Sequence, residues 1–334
     1  MKLGEKVIDW YKEQGRKMAW RDTFDPYKIW IAEIILQQTR IAQGEAYFYR
    51  FIERFPNAKA LAEAEQDEVL KYWEGLGYYS RARNLHAAAH QLQENFGGTF
   101  PEDHETLLSL KGIGPYTARA IASFAFGERV AVLDGNVLRV LSRVLGDFSP
   151  IDQQKSRKNY QKIIDSWVKD LDSRSFNHGM MDIGSVICTP SKPGCLICPL
   201  QDHCKAYQEG ITHLLPVKAG KLKRKIRHFN FLLIYNEAGE VLVRQRPENV
   251  FWGGLWEIPN EEIKAEDWIQ KKREKDSYLG EMKHVFTHFD MLIHIFKVSP
   301  ESREERAVGQ FIPIEKIPIF AFSRAVLNIF DRYI

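Results

Sequence analysis

The cysteines of this chain constrain its fold more than any other feature, because all of them lie within a segment of seventeen residues. They are Cys188, Cys195, Cys198 and Cys204. Prolines and glycines between them disfavour a regular helix or strand and indicate a loop. In a reducing compartment, thiols this close in sequence favour metal ligation over disulfides. Zinc and a [4Fe–4S] cluster both accept four cysteine sulfurs, and the spacing does not distinguish them.

Length and charge set further limits. The chain has 334 residues, enough for about two domains with apolar cores. Its formal net charge is only +3, so nucleic-acid binding has to come from local patches. We find no stretch resembling a signal peptide and no apolar run of about 18 residues that would span a membrane. We therefore expect a cytoplasmic, monomeric protein without a membrane partner; the sequence identifies no protein partner.

A glycine turn lies between two predicted helices in the stretch 110–136. Gly112 and Gly114 form the turn, and Pro115 follows at a position that suits the first residue of a helix. A helix N-terminus at such a turn presents backbone N–H groups and the positive end of the helix dipole, which suit a DNA phosphate. The alternative is an ordinary turn followed by a helix-capping aspartate, Asp134.

Two carboxylic acids are candidates for acid–base chemistry. Glu33 is the only charged residue in the apolar segment 29–36. Burial there would raise the pKa of Glu33 and suit it to act as a general acid, although a buried glutamate paired with an arginine is the alternative. Asp134 precedes the polar Asn136 and is expected to stay ionised. Two carboxyl groups with different pKa values can together break a glycosidic bond.

The periodicity predicts helices in the first two-thirds of the chain, including a single helix from Lys28 to Gly44. Residues 216–228 hold six lysines and arginines without an acid, which is typical of a solvated linker and would also suit DNA or a protein partner. We expect a helical domain over residues 1–210, a basic linker over 211–228 and a smaller domain over 229–334.

The C-terminal third shows the alternation of β-strands. Apolar segments on both sides of the turn 236–239 predict a β-hairpin, and residues 291–298 predict a further strand. A charged helix is predicted near 264–275 and a final helix over 322–333. The predicted fold class is therefore a mostly α N-terminal domain with a metal loop, followed by a smaller α+β domain.

These motifs together resemble the helix-hairpin-helix DNA glycosylases, and within them the A/G-specific adenine glycosylases (the MutY family), over residues 1–210. The matching segments are Trp20-Arg21, Glu33 to Arg40, Gly75 to Tyr79, the turn at Gly112–Gly114, Asp134 to Asn136 and the cysteine loop. The resemblance implies a base-excision-repair enzyme that acts on double-stranded DNA with adenine opposite 8-oxoguanine or guanine. It also implies that the four cysteines hold a [4Fe–4S] cluster.

The resemblance assigns roles to individual residues. Glu33 would protonate N7 of a flipped adenine, and Asp134 would stabilise the sugar cation. Asn136 would orient Asp134, while Tyr116 would lie beside the sugar. The adenine pocket would contain Arg16, Trp20, Arg21 and His178, and DNA would be contacted by Gln38, Thr39, Leu76, Tyr78, Gly112 and Gly114. Gln38 and Tyr78 would fill the gap that base flipping leaves, as extrusion requires; one of the tyrosines at 78 and 79 is expected to pack inside instead.

Other activities remain as alternatives. Pyrimidine glycosylases related to endonuclease III attack the sugar with a lysine of the hairpin, and in this chain Tyr116 occupies that position. Lys111 lies on the other side of the turn. We therefore predict a monofunctional glycosylase that leaves an abasic site. A non-catalytic binder of damaged DNA is a further alternative, but it would not need both Glu33 and Asp134.

The C-terminal domain resembles the Nudix fold through the segment 251–259, but the acidic run that would bind magnesium is missing, so no nucleotide hydrolysis is expected. In adenine glycosylases such a domain reads 8-oxoguanine through a Phe-Ser-His loop. Phe286, Thr287 and His288 resemble that loop, with threonine in place of serine. The alternative is a strand end without a ligand.

His178 is a second departure, because the family usually has Gln or Glu at this position near the adenine. Its charge could change near pH 6.5. The alternative is a core histidine.

Overall fold

The computed structural model describes residues 2–37, 39, 41–220, 224–267, 277–298 and 308–334. It confirms the predicted fold class, with a helical N-terminal part followed by an α+β C-terminal third. Gln38 lies outside the described residues, as does the greater part of the charged helix predicted near 264–275.

The α-helices follow one another through most of the chain. They are α1 Leu3–Gln14, α2 Pro26–Leu36, α3 Ile41–Arg54, α4 Ala58–Ala62, α5 Gln66–Tyr72, α6 Ser80–Phe96, α7 His104–Leu107, α8 Pro115–Phe126, α9 Gly135–Leu145, α10 Gln154–Val168, α11 Ser173–Asp182, α12 Lys205–Gln208 and α13 Arg324–Tyr333. The single helix predicted over 28–44 was wrong, because α2 ends at Leu36. The Thr39 hydroxyl donates to the Ile35 carbonyl at 3.0 Å, in place of the backbone N–H that would continue the helix.

The chain forms two compact units that are interleaved in sequence. Unit 1 contains Met1–Phe48, Asn57–Lys59 and Ala88–Gly220. Unit 2 contains Tyr49–Pro56, Ala60–Ala87 and Lys221–Ile334. Part of the helical sequence thus clusters with the C-terminal third. The consecutive domain boundaries expected above stay a prediction.

Two described parts of the region expected as a linker belong to packed structure. Leu215 is 3% exposed and packs in unit 1. Strand β1 begins at Lys225, inside the basic stretch.

In unit 1, the apolar helix α2 packs against α8. Asp25 caps α2 by accepting from the Tyr27 N–H at 2.9 Å, and Pro26 occupies its first turn. Buried side chains lie on all sides of α2, as expected of a helix in the interior of a domain.

An extended segment, residues 130–133, leads into α9 without pairing to a strand. Side chains hold it instead. The Ala131 N–H donates to Asp165 at 3.0 Å, and the Val132 N–H donates to the Asn177 side chain at 2.9 Å. These bonds satisfy the buried backbone and fix the position of the residue that follows, Asp134.

The C-terminal part of unit 2 contains two sheets. Its strands are β1 Lys225–Ile234, β2 Val241–Gln245, β3 Trp256–Glu257, β4 Asn260–Ile263, β5 Tyr278–Val285, β6 Phe289–Val298 and β7 Gln310–Ile312. One sheet has the order β4-β1-β6-β5 and the other β3-β2-β7. Strands β1 and β6 are parallel, with Phe229 opposite Ile293. Helix α13 contributes Val326 and Ile329 to the apolar core of this part.

The predicted β-hairpin is only partly correct. Its turn forms, since the Asn236 N–H donates to the Glu240 carbonyl at 3.1 Å and Tyr235 bridges Val241. Beyond that bridge β1 and β2 enter different sheets. Strand β1 pairs with β4 and β6, and β2 pairs with β3 and β7. Phe231 of β1 and Val243 of β2 both belong to the same apolar core.

Candidate active site

Glu33 lies on α2 and is only 6% exposed. The Tyr116 hydroxyl of α8 donates to its Oε2 at 2.6 Å. Burial raises the pKa of Glu33 to about 7, against the opposing effects of this hydrogen bond and the positive charge of Arg21, and the negative charge of Asp134 raises it further. The predicted rise in this pKa is confirmed. A carboxyl group of this kind can give up or take a proton near neutral pH.

Asp134 caps the N-terminus of α9. Its Oδ1 accepts from the Val137 N–H at 2.7 Å and its Oδ2 accepts from the Asn136 side chain at 2.9 Å. Burial raises the pKa of Asp134, which the sequence did not lead us to expect, while these hydrogen bonds and the charge of Arg139 lower it. Burial is the larger effect, so the pKa of Asp134 is raised on balance, and the hydrogen bonds limit the rise by favouring the ionised form.

Asn136 is held by Arg139, a residue that the sequence reasoning missed. Arg139 donates to Asn136 Oδ1 at 2.9 Å, to the Gly184 carbonyl at 2.5 Å and to the Cys188 carbonyl at 2.7 Å. Its position three residues after Asn136, on the same face of α9, was the available signal. A chain of hydrogen bonds therefore joins Cys188, the first of the four cysteines, to Asp134.

Arg16 and Arg21 both bind one buried carboxylate, Asp182, that was not predicted. Arg21 binds Asp182 through two hydrogen bonds of 2.7 and 2.9 Å, and Arg16 Nε donates to Asp182 at 2.8 Å. Burial alone would raise the pKa of Asp182, but the hydrogen bonds and charge of Arg21, with the hydrogen bonds of Arg16, outweigh it and lower that pKa. Trp20 is 5% exposed and meets the edge of Phe48. The sequence feature that could have indicated Asp182 is that it is the only acid at the otherwise apolar C-terminal end of α11.

His178 is buried in unit 1, with 4% of its surface exposed. Its ring lies 4.1 Å from that of Phe124, and its Nδ1 lies 3.3 Å from the Tyr11 hydroxyl. Burial and the positive charges of Arg21 and Arg174 hold the pKa of His178 well below its usual value of 6.5. A change of charge near pH 6.5, which the sequence left open, is not supported by this lowered pKa, and the burial of the ring favours the alternative of a core histidine.

The glycine turn has the predicted form. Gly112 adopts a left-handed φ of 76°, and Gly114 caps α8 ahead of Pro115. A Cβ added at Gly114 would meet no atom within 4 Å, so the N-terminus of α8 faces open space. Such a terminus can accept a phosphate. Thr39, just after the C-terminus of α2, uses its hydroxyl to donate to the Ile35 carbonyl of that helix.

The four cysteines line one cavity of unit 1 together with Arg143. Arg143 is 2% exposed and donates to the Cys188 sulfur at 3.3 Å and to the Thr189 carbonyl at 2.8 Å. The four cysteines form no disulfide. Within the described ranges, no three His, Cys, Asp or Glu side chains are grouped around one metal-ion position. The four thiols line one shared cavity and do not converge on a single ion. This arrangement fits a [4Fe–4S] cluster, in which each iron takes one cysteine sulfur.

In unit 2, the segment predicted to enter DNA follows α5. Tyr78 is 51% exposed and has a left-handed φ of 47°, whereas Tyr79 is 4% exposed. The prediction that one tyrosine packs inside is confirmed. Leu76 is 8% exposed and packs mainly against protein.

Phe286, Thr287 and His288 form the tight turn between β5 and β6. The Phe286 N–H donates to the Phe289 carbonyl at 2.9 Å, and the two rings stack at 4.4 Å. Trp252 packs on the Phe286 ring at 5.3 Å. The polar side chains of Thr287 and His288 are exposed at the tip of the turn.

Comparisons with known proteins agree with this geometry. Residues 31–169 match the HhH-GPD superfamily of base excision DNA repair proteins, and residues 230–332 match the NUDIX domain. The chain is 34% identical over 298 residues to the adenine DNA glycosylase of Buchnera aphidicola subsp. Schizaphis graminum, covering 87% of this chain and 86% of that protein. The chain belongs to the adenine DNA glycosylase family.

Adenine DNA glycosylases of distant organisms are also similar. The Mus musculus protein is 27% identical over 397 residues, covering 98% of this chain and 77% of that protein. A thermostable thymine-DNA glycosylase structure superimposes with a TM-score of 0.57 at 28% identity, covering 62% of this chain and 95% of that one. Across the part of the chain that the structure describes, no helix has the length and apolar character needed to cross a membrane.

Proposed function

We propose that the protein hydrolyses the N-glycosidic bond of adenine paired with 8-oxoguanine or guanine in double-stranded DNA. The observation that carries the proposal is the pairing of a buried Glu33, with a pKa of about 7, with Asp134, whose hydrogen bonds favour the carboxylate. Family membership supports adenine as the substrate base.

Glu33 gives its proton to N7 of the extruded adenine, and the bond between sugar C1′ and base N9 breaks as the base takes up the electron pair. The Asp134 carboxylate stabilises the positive sugar, oriented by Asn136. Glu33, now ionised, takes a proton from the water that adds to C1′. Tyr116, which donates to Glu33, keeps that carboxyl group in place beside the sugar.

The reaction stops at the abasic site. A strand-cleaving glycosylase needs an amine that attacks the sugar, and Tyr116 supplies a hydroxyl in its place. Lys111 is exposed on the other side of the turn, where its backbone N–H donates to Gln91. An activity like that of endonuclease III is therefore the weaker candidate. A non-catalytic binder would not need a carboxyl group with a raised pKa.

The remaining residues select the base and its partner. Arg16, Trp20, Arg21 and the neutral His178 form the adenine pocket. Gln38 and Tyr78 fill the gap in the helix, Thr39 and Leu76 contact the DNA, and the turn at Gly112–Gly114 holds the DNA backbone. Phe286, Thr287 and His288 read 8-oxoguanine. Exposure of Tyr78, Thr287 and His288 supports these roles.

The four cysteines would hold a [4Fe–4S] cluster. That cluster would supply a fixed, DNA-facing loop, and Arg143 would support the loop through its bonds to Cys188 and Thr189. Absorbance near 400 nm, and four irons per chain by elemental analysis, would distinguish it from zinc.

The decisive experiment uses a duplex with one adenine opposite 8-oxoguanine. We expect free adenine, with strand breakage only after alkali. Breakage without alkali would contradict the monofunctional assignment, and release of an oxidised pyrimidine from a second duplex would place the protein with the endonuclease III-like enzymes. Binding without base release would leave only the damage-binding alternative.

A further inference from the structure

The segment between α5 and α6 has an unusual backbone. Gly75 and Gly77 adopt left-handed φ values of 92° and 77°, and Tyr78, which has a Cβ, adopts one of 47°. Such a conformation is costly for a tyrosine and persists only where the surroundings fix it. The contacts that fix this segment therefore decide where the exposed Tyr78 ring points.

One set of contacts comes from within the helical sequence and ends on the C-terminal domain. Trp73 Nε1 donates to the Gly77 carbonyl at 3.1 Å. The Gly75 N–H donates to the Tyr79 hydroxyl at 3.3 Å, and that hydroxyl donates to the Phe322 carbonyl at 3.3 Å. Tyr79 thus joins the segment to the polypeptide just before α13.

A second set approaches the same place from the other side of the segment. The Phe322 N–H donates to Glu74 at 2.9 Å, and Lys71 Nζ donates both to Glu74 at 2.7 Å and to the Phe320 carbonyl at 3.0 Å. Hydrogen bonds to a charged carboxylate are among the stronger ones. Residues at both ends of the segment therefore bind one short stretch, Phe320–Phe322.

That stretch is itself fixed. The Trp256 N–H of β3 donates to the Ala321 carbonyl at 2.9 Å, and Phe322 is 0% exposed in the apolar core. Ser323 then caps α13 through a hydrogen bond of 3.3 Å to the Val326 N–H. The stretch is anchored by a strand on one side and a helix on the other, so it can act as a rigid support.

We propose that Glu74 and Tyr79 are positioning residues that use Phe320–Phe322 to hold Tyr78 for insertion into DNA. The Nudix-like domain then assists extrusion of the adenine in addition to reading the opposite base. This inference rests on the proposed role of Tyr78 as the side chain that fills the gap.

The test measures extrusion separately from chemistry. A duplex carries 2-aminopurine beside the target adenine, and its fluorescence rises when the neighbouring base leaves the stack. Stopped-flow rates are compared for the wild-type protein and Glu74→Ala, Tyr79→Phe, Tyr78→Ala and Asp67→Ala, together with duplex affinity and thermal midpoint. Asp67 is the matched control, because it is a carboxylate of the preceding helix α5 that also binds the C-terminal domain, through Gln245 at 2.7 Å and Trp256 at 3.2 Å.

We expect Glu74→Ala to slow extrusion about tenfold, because it removes hydrogen bonds to a charged carboxylate. Tyr79→Phe should slow extrusion less, because it removes hydrogen bonds of a neutral hydroxyl. Asp67→Ala should match the wild type. The double variant Glu74→Ala/Tyr78→Ala should be no slower than Tyr78→Ala, because both changes remove one function.

Two results would overturn the inference and leave the proposed function intact, provided that Tyr78→Ala is impaired. The first is extrusion at the wild-type rate by both Glu74→Ala and Tyr79→Phe. The second is equal slowing of extrusion by Glu74→Ala and Asp67→Ala. The second result would reduce the contact to ordinary domain packing. Wild-type extrusion by Tyr78→Ala would instead remove the proposed role of Tyr78, and the positioning role would fall with it.

Discussion

The centre around Glu33 in unit 1 and the turn Phe286–His288 in unit 2 are built in opposite ways. Glu33 is buried and bonded to Tyr116 at 2.6 Å, while Asp134 accepts two hydrogen bonds. Thr287 and His288 are exposed, and their polar atoms are 3.4 Å from each other. The Phe286 ring stacks on Phe289, and the exposed His288 ring meets the edge of Phe289 at 4.8 Å.

The difference follows from what each region has to do. A group that moves a proton needs a low-dielectric site that sets its pKa and holds its geometry before the substrate arrives. Side chains that read a base in DNA need to reach out of the protein, and they make their hydrogen bonds only in the complex. Substitutions around Glu33 should therefore act on rate and stability, whereas substitutions in the turn Phe286–His288 should act on preference between substrates.

The largest effect is expected for Asp134→Asn. Replacing the carboxylate by an amide removes its negative charge, so single-turnover adenine release should fall about 10³-fold while duplex affinity is retained. Asp147→Asn, at a partly exposed carboxylate that accepts from the Ser149 N–H, is the control and should leave the rate unchanged. A fully active Asp134→Asn variant would mean that this carboxylate is not part of the reaction.

Glu33→Gln should stabilise the fold at alkaline pH. The folded-state pKa of Glu33 is raised from 4.5 to about 7, so the native state binds the proton more tightly and stability falls as pH rises through that window. Removing this ionisation should raise the free energy of unfolding by about 3 kcal/mol at pH 8. Denaturant titrations at pH 8 and pH 4 check this, since the gain should vanish at pH 4. An equal gain at both values would assign it to packing.

The pH dependence of kcat/KM should report the same group. Because Glu33 acts as an acid, activity should decrease about tenfold for each pH unit above 7, where the proton is lost. His178 should add no second inflection near 6.5, since burial keeps its ring neutral there. His178→Gln tests this point: an inflection that disappears in the variant would show that the histidine does titrate.

Phe286→Ala should have the smallest effect and act on preference alone. Loss of one stacking contact is worth about 1 kcal/mol at its lower limit, so the ratio of rates with 8-oxoguanine and with guanine opposite adenine should fall about fivefold. Glu237→Ala, in the exposed turn between β1 and β2, is the control. A general loss of rate with both duplexes would mean that the ring supports the fold of the turn instead.

Features that depend on local chemistry were predictable from the sequence. The raised pKa of Glu33 followed from its apolar neighbours, and the turn at Gly112–Gly114 followed from glycine and proline chemistry. Tyr78 was expected to enter DNA and one of the two neighbouring tyrosines to pack inside, and the structure exposes Tyr78 and buries Tyr79. Each of these depends on residues adjacent in sequence or one helical turn apart.

Features that depend on distant partners were not predictable. Asp182 binds arginines more than 160 positions away, and nothing near it in sequence indicates them. The neutral state of His178 depends on Arg21, Arg174 and burial under Phe124. Strands β1 and β2 had the pattern of a hairpin, but the choice of sheet was made by the shared core between them.

The interleaving of unit 2 has a consequence for synthesis. Residues 60–87 leave the ribosome more than 130 residues before the first strand of the C-terminal sheets exists. Until Phe322 is made, Glu74 and Tyr79 lack the backbone groups that they bind in the finished protein. A nascent chain, or one shortened by an early stop codon, therefore exposes surface that chaperones and proteases recognise. Loss of the residues from 320 onward would then lower the cellular amount of an enzyme whose chemical centre lies entirely upstream.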